Sequence, residues 1–229
     1  MNYLIALIGD TLAGKTRFFW TMKGLEYRGL VHLLMTQKPE IYNTDHYILI
    51  DTPGVERYLF GVSDWLCKCN LFILMYSNKI DKTEVTESIK KWINTVKTEK
   101  EKKEYLNPKV ITHFFILGNN KIKDHSYNIK KEIEEIKRCF ENVNFSIHDV
   151  GLVNLNGKSL DENKIGVTTK FNKINKIIKE KLDEATIKEN EKIFSEISKK
   201  KGKNFDGITK AGKDSKKDKK CENCRCYFY

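Results

Sequence analysis

Short apolar runs alternate with stretches of helical periodicity along most of the chain. The apolar runs predict six strands, at 2–8, 37–42, 46–51, 71–76, 110–117 and 143–148. Apolar residues at helical spacing predict five helices, at 15–26, 57–68, 83–98, 126–141 and 166–197. Because strands and helices alternate, the pattern predicts an α/β fold with a mostly parallel sheet. The turn residues Asn43-Thr44-Asp45 predict one antiparallel edge strand.

The most informative motif directly follows the first strand. The residues Gly9-Asp10-Thr11-Leu12-Ala13-Gly14-Lys15-Thr16 match G-x-x-x-x-G-K-[ST], a loop whose backbone N–H groups cradle phosphates. The helix expected after the loop adds free N–H donors and a dipole that favours an anion. We therefore expect a nucleotide phosphate site made by Gly9, Thr11, Leu12, Ala13, Gly14, Lys15 and Thr16. Lys15 would reach the β- and γ-phosphates, and the Thr16 hydroxyl would ligate Mg²⁺.

A second candidate element, Asp51-Thr52-Pro53-Gly54, ends the third predicted strand. The Asp51 carboxylate can hold Mg²⁺ through water, and the Gly54 N–H can meet a γ-phosphate. Taken alone, the segment fits a strand end and a Pro-Gly turn equally well. The phosphate loop that precedes it favours the binding role.

The net charge of +11 is concentrated near the carboxyl terminus, where residues 199–220 hold ten Lys and three Asp and so carry +7. The remaining body shows no basic face interleaved with aromatic residues, so we expect no nucleic-acid partner. The Lys-rich segment is either a solvated disordered tail or a polybasic segment attracted to an anionic membrane surface. No apolar run is long enough to span a bilayer, and the scattered Cys residues indicate a reducing, cytosolic compartment.

The segment 51–58, with the sequence DTPGVERY, resembles the D-T-A-G-Q-E-R-[FY] segment of Rab-type small GTPases. The run 91–99, KWINTVKTE, resembles the third helix of Golgi-trafficking Rabs. The resemblance implies a P-loop NTPase fold: a Ras-like G domain over residues 1–182, with a six-stranded mostly parallel sheet flanked by helices. An extended helix end and Lys-rich linker would follow over 183–220, and a Cys-rich carboxyl terminus over 221–229.

A Rab-like chain would bind GTP/GDP and Mg²⁺ and would act as a membrane-recruited switch in vesicle trafficking. Its partners would be an exchange factor, a GTPase-activating protein and effectors, on the cytosolic face of endomembranes such as the Golgi. Cys224 and Cys226 fit prenylation, because terminal Cys residues behind a polybasic tail give a two-signal membrane anchor. A zinc site and unmodified thiols are the alternatives. Because three residues follow Cys226, the pattern does not determine which prenyltransferase would act.

Several residues depart from the family pattern at positions where the resemblance implies catalysis. Val55, next to Gly54, occupies the position of the water-orienting Gln, and its apolar side chain predicts slow hydrolysis. Leu12 stands where Rabs usually have Gly and can crowd the loop. Thr36 is either the switch Thr that closes over Mg²⁺ or an ordinary loop Thr. These departures also motivate an alternative function, a nucleotide-binding scaffold without catalysis.

The base site has two candidate motifs. Asn78-Lys79-Ile80-Asp81 matches the guanine motif N-K-x-D but follows the fourth predicted strand, so we expect it to lie away from the base. Asn120, Lys121 and Asp124 follow the fifth strand, but the Asp arrives one residue late. Either a bulge brings Asp124 to the base, or Lys123 takes its place and guanine selectivity weakens. Backbone N–H groups near Asp149, after the sixth strand, would contact the base oxygen.

Overall fold

The computed structural model of the protein describes residues 3–25, 39–54, 63–78, 81–102, 109–120, 129–140, 144–155 and 160–204. The chain divides into two units, Met1–Phe194 and Ser195–Tyr229. The described part of the second unit is helical up to residue 204. The account of the sheet and of the candidate site below concerns the first unit.

The described strands form one mixed sheet in the order β2-β3-β1-β4-β5-β6. The strands are β1 (Tyr3–Ile8), β2 (Glu40–Asn43), β3 (Tyr47–Asp51), β4 (Leu71–Ser77), β5 (Thr112–Asn119) and β6 (Phe145–Val153). Only β2 runs antiparallel to its neighbour, β3, while the other adjacent pairs are parallel. The predicted α/β class, the parallel sheet and the antiparallel edge strand are confirmed.

Four of the described helices lie between strands of the sheet, and two follow the last strand. They are α1 (Lys15–Met22), α2 (Ser63–Lys68), α3 (Lys82–Lys102), α4 (Lys130–Cys139), α5 (Leu160–Lys181) and α6 (Glu184–Asn204). Within the described ranges, no helix combines the length and the apolar character that crossing a membrane requires.

The central strands are buried because both faces of the sheet are covered. All six residues of β1 and all eight residues of β5 are buried, as expected for parallel strands with helices on both sides. On one face, alternate residues of β1, β4 and β5 form a core with α1 and α5. Phe18 and Phe19 of α1 and Phe171 of α5 fill this layer. The core therefore fixes the carboxyl ends of β1, β4 and β5 relative to one another.

The long predicted helix at 166–197 is two helices, and the break lies at Leu182 and Asp183. The Asp183 carboxylate accepts a hydrogen bond from the Thr186 backbone N–H at 2.7 Å, which caps the first turn of α6. The Thr186 hydroxyl both donates to the backbone oxygen of Ile111 and accepts from its N–H, each at 3.2 Å. These bonds hold the start of α6 beside the start of β5. Helical periodicity continues across the break, so the capping Asp is the signal that marks it.

Candidate phosphate- and metal-binding site

The two predicted phosphate elements meet at one edge of the sheet. Strands β1 and β3 are parallel neighbours, with Leu7 paired to Asp51, so their carboxyl ends are adjacent. The loop 9–14 leaves β1, and the segment 51–54 ends β3. The Thr11 hydroxyl donates to the Gly54 carbonyl oxygen at 3.3 Å. The structure thus brings together two segments separated by more than thirty residues of sequence.

Two glycines let the backbone of these segments pack closely. Gly9 has a φ of +134°, and a Cβ there would lie 2.1 Å from the Met75 backbone oxygen. At Gly54 a Cβ would lie 2.7 Å from the Thr11 backbone nitrogen and 2.8 Å from the Lys15 ammonium. Any side chain at either position would collide with backbone or with the cation. The close approach of the two segments therefore requires glycine, which has no Cβ, at both positions.

Lys15 extends from the first turn of α1 back over the loop. Its ammonium donates to the backbone oxygens of Gly9 at 2.7 Å and of Asp10 at 2.9 Å. The side chain is only 5% exposed. Burial lowers the pKa of the Lys15 ammonium to about 8, although the Asp51 and Asp10 carboxylates oppose the shift. The loop therefore holds a buried cation whose charged form gains from an added anion.

Thr16 and Asp51 bring together two oxygen atoms that could hold a metal ion. The Thr16 hydroxyl donates to the Asp51 carboxylate oxygen Oδ2 at 2.7 Å, and Asp51 is completely buried. Hydroxyl and carboxylate oxygens are ligands that Mg²⁺ prefers, and Mg²⁺ sites in proteins use few of them together with phosphate oxygens. The residues therefore fit this ion.

Thr52 braces the site and was not singled out in the sequence. Its hydroxyl donates to the Leu7 backbone oxygen at 2.6 Å, and the residue is completely buried. The bond ties the chain that leaves β3 to the end of β1, just before the loop. The position of Thr52, directly after the candidate metal ligand Asp51 at a strand end, is the signal from which a bracing role could have been inferred.

Leu12 has an unusual backbone conformation at the rim of the loop. It has a φ of +65° and is 75% exposed. For a residue with a Cβ, this left-handed conformation costs about 1–2 kcal/mol. Because the Leu12 side chain is largely exposed, the predicted crowding of the loop by this side chain is not found, and the departure from Gly shows itself only in the backbone conformation.

The edge where the base site was predicted shows a different residue in contact with the phosphate loop. The Asn119 side-chain amide donates to the Ala13 backbone oxygen at 3.2 Å. Asn120 instead accepts a hydrogen bond from the Asn78 side chain at 2.5 Å and donates its N–H to Val153. Asn119 lies last in β5, one residue before the candidate motif, and is 1% exposed. The sequence pattern predicts that the fifth strand ends at residue 117, and the candidate motif begins at Asn120, so Asn119 is given no role.

The two ends of the motif Asn78-Lys79-Ile80-Asp81 have separate roles. Asn78 lies beside Asn120, because β4 and β5 are neighbours. The Asp81 carboxylate accepts a hydrogen bond from the Thr83 backbone N–H at 2.7 Å, which lowers its pKa and caps the start of α3. Because α3 follows the fourth strand, an exposed Asp that caps this helix must lie at this position.

The structure does not bring Asp149 to this edge. Asp149 lies inside β6, paired with Ile116, and its carboxylate accepts from the Gly151 N–H at 2.8 Å. Strand β6 continues to Val153, beyond the predicted end at 148. At about 3.3 Å per residue, Asp149 is therefore roughly 13 Å from the carboxyl end of its strand. Asn154 and Leu155, and not Asp149, directly follow the end of β6.

Six other predicted site residues lie outside the described residues. They are Thr36, Val55, Lys121, Asp124, Cys224 and Cys226. Their predicted roles in metal binding, hydrolysis, base recognition and lipidation stay predictions.

No protein-family model matches the chain, and no curated protein matches its sequence. The functional argument therefore rests on the chain's own residues and on the geometry at the edge of the sheet.

Proposed function

We propose that the chain is a Rab-like small GTP-binding protein whose first unit is a Ras-like G domain. The observation that carries the proposal is the meeting of Lys15, Thr16, Asp51 and Gly54 at the carboxyl ends of β1 and β3. The strand order, with an antiparallel edge strand beside β3, is consistent with this fold.

The chain's own residues account for the binding of a triphosphate. The loop 9–14 and the first turn of α1 offer backbone N–H groups, and Lys15 offers a buried positive charge. Thr16 and Asp51 would hold Mg²⁺. Bound there, the ion would offset the negative charge of the phosphates. The base would lie toward the ends of β5 and β6, near Asn119.

Slow hydrolysis follows from Val55 at the position of the water-orienting Gln. An isopropyl side chain can neither donate to nor accept from an attacking water. We propose that the GTP-bound form persists and orders neighbouring segments for effectors, until a GTPase-activating protein or an exchange factor acts. Prenylation at Cys224 and Cys226, with the Lys-rich tail, would recruit the protein to the cytosolic face of endomembranes.

Titration with mant-GTP and mant-GDP in Mg²⁺ tests nucleotide binding directly, and competition by ATP tests base selectivity. Thr16→Val removes the hydroxyl proposed to hold Mg²⁺, so affinity should fall at least about tenfold in Mg²⁺ and stay unchanged in EDTA. Thr21→Val is the matched control, because the Thr21 hydroxyl bonds only the helix oxygen of Arg17 at 2.8 Å. Absence of binding by the unsubstituted protein would refute the proposal.

A second candidate function is a nucleotide-binding scaffold without catalysis, favoured by the strained Leu12 as well as by Val55. Single-turnover measurements separate the two functions. Slow but measurable release of phosphate, accelerated by a GTPase-activating protein, supports the switch. Binding without any turnover supports the scaffold. A rate typical of Gln-bearing Rabs would contradict the role given to Val55.

Membrane recruitment is tested independently of nucleotide binding. Intact mass of protein from its native host should show isoprenoid additions. The double variant Cys224→Ser/Cys226→Ser should lack them and should leave the membrane fraction. An unmodified mass would exclude lipidation.

A further inference from the structure

Asp10 places a carboxylate inside the phosphate loop, and helix α3 holds that carboxylate. The Trp92 indole N–H donates to Oδ1 of Asp10 at 2.8 Å, and the Ser88 hydroxyl donates to Oδ2. Ser88 and Trp92 lie four residues apart, so they occupy one face of the helix. Both carboxylate oxygens are thus taken by side chains of α3, an element that contributes nothing else to the site.

The backbone carbonyl of Asp10 makes a second set of contacts, within the phosphate loop. Its carbonyl oxygen accepts from the Lys15 ammonium at 2.9 Å and from the Ala13 N–H at 3.2 Å. Asp10 therefore joins α3, through its side chain, to the cation of the phosphate site, through its backbone. The Trp92 side chain is 2% exposed and packs in the core, so the anchor on α3 is rigid.

A carboxylate in a loop that receives phosphate creates an electrostatic problem. Two negative groups within a few ångströms of each other repel strongly at the effective dielectric constant of a protein surface. The hydrogen bonds from α3 orient the Asp10 carboxylate toward the helix and partly offset its charge. Without them the same group would be free to turn toward the phosphates.

We propose that Trp92 and Ser88 are positioning residues that set the affinity of the loop for phosphate by holding the Asp10 carboxylate against α3. The inference rests on the proposed nucleotide-binding function, and it adds a helix outside the loop as a determinant of that binding. Any partner that displaces this face of α3 would weaken nucleotide binding through Asp10.

The test combines Trp92→Phe, which removes the indole N–H and keeps an aromatic ring, with Asp10→Asn, which removes the charge and keeps the shape. Affinity for mant-GTP in Mg²⁺ should fall about tenfold in Trp92→Phe, as for loss of one hydrogen bond to a charged group. On the Asp10→Asn background the same change should alter affinity by less than about twofold, because no charge is left to misdirect. Trp65→Phe, in half-buried α2, is the matched control and should leave affinity unchanged.

The outcomes separate positioning from packing. If Trp92→Phe weakens binding equally on both backgrounds, the indole acts by packing alone and the inference is wrong. It is equally wrong if Trp92→Phe binds like the unsubstituted protein while that protein binds mant-GTP well. If the unsubstituted protein binds no nucleotide, the proposed function fails first and the inference falls with it. Rescue by Asp10→Asn is the result that a merely structural Trp92 would not give.

Discussion

Raising the pH should weaken nucleotide binding over a range in which an ordinary lysine stays fully charged. Burial lowers the pKa of Lys15 to about 8, so the ammonium loses its proton as the pH passes through that value. Phosphate binds the protonated form, because only this form supplies a positive charge to the β- and γ-phosphates. Binding above the pKa must therefore take up a proton, and affinity falls as the pH rises.

The size of the effect follows from the protonated fraction of Lys15. With a pKa of about 8, that fraction is roughly 90% at about pH 7 and roughly 10% at about pH 9. The dissociation constant should consequently rise about tenfold between these two pH values. A lysine with the ordinary pKa of about 10.4 would change it by only a few per cent. The two cases differ enough for a simple titration to decide between them.

The assay is a mant-GDP titration in Mg²⁺ at several pH values, with two variants beside the unsubstituted protein. Lys15→Arg keeps a charge at every pH used, so it should bind more weakly at neutral pH but with no pH dependence. Lys100→Met is the control, because burial also lowers the pKa of Lys100 to about 8 but its ammonium bonds Cys67 and Asn70 instead of the loop. It should keep the tenfold dependence. A change below about twofold in the unsubstituted protein would refute the reasoning.

Three further predictions concern stability, measured by urea unfolding. Gly9→Ala should lower the free energy of unfolding by about 3 kcal/mol or more, because the added Cβ would lie 2.1 Å from backbone. Gly24→Ala, with a φ of +70° and nothing within 4 Å of the added Cβ, should lower it by only about 1 kcal/mol. Equal losses would contradict the steric argument. Leu12→Gly should raise the free energy of unfolding by about 0.5–1 kcal/mol, because glycine adopts the left-handed conformation without strain. Leu12→Ala keeps a Cβ and should therefore not raise it. Thr186→Val should lower the free energy of unfolding by about 1–3 kcal/mol, because the part-buried backbone N–H and carbonyl of Ile111 lose the Thr186 hydroxyl. A loss below about 0.5 kcal/mol would show that water replaces these bonds.

The phosphate half of the site could be predicted because its residues are close in sequence. The loop 9–16 lies between one strand and one helix, so local pattern alone places Lys15 and Thr16 at a helix N-terminus. Asp51 required one further inference, that β3 neighbours β1 with parallel direction. No motif in the sequence predicts which strands are neighbours, so this arrangement became visible only in the pairing of Leu7 with Asp51.

The elements that sequence reasoning missed depend on tertiary contacts. Asn119 lies two residues beyond the predicted end of the fifth strand, and only the approach of the loop reveals its bond to Ala13. The contact of Asp10 with α3 joins residues separated by some eighty positions, a pairing that no local pattern encodes. The break before α6 is encoded by Asp183, but the helical periodicity on both sides outweighed it.

The base half of the proposed site depends on a single irregularity in β6. Ile116 pairs with Asp149 but the next residue, Leu117, pairs with Gly151, so Val150 is an extra residue in the strand. Beyond this bulge every residue of β6 is shifted by one relative to β5, and Val153 comes opposite Asn119. The bulge therefore determines which residues of β6 lie at the carboxyl edge of the sheet, and the spacing of motifs in the sequence does not. The proposed phosphate contacts would use β1 and β3, while base contacts would use β5 and β6. Loss of guanine selectivity would therefore not imply loss of phosphate affinity, and the two must be measured separately.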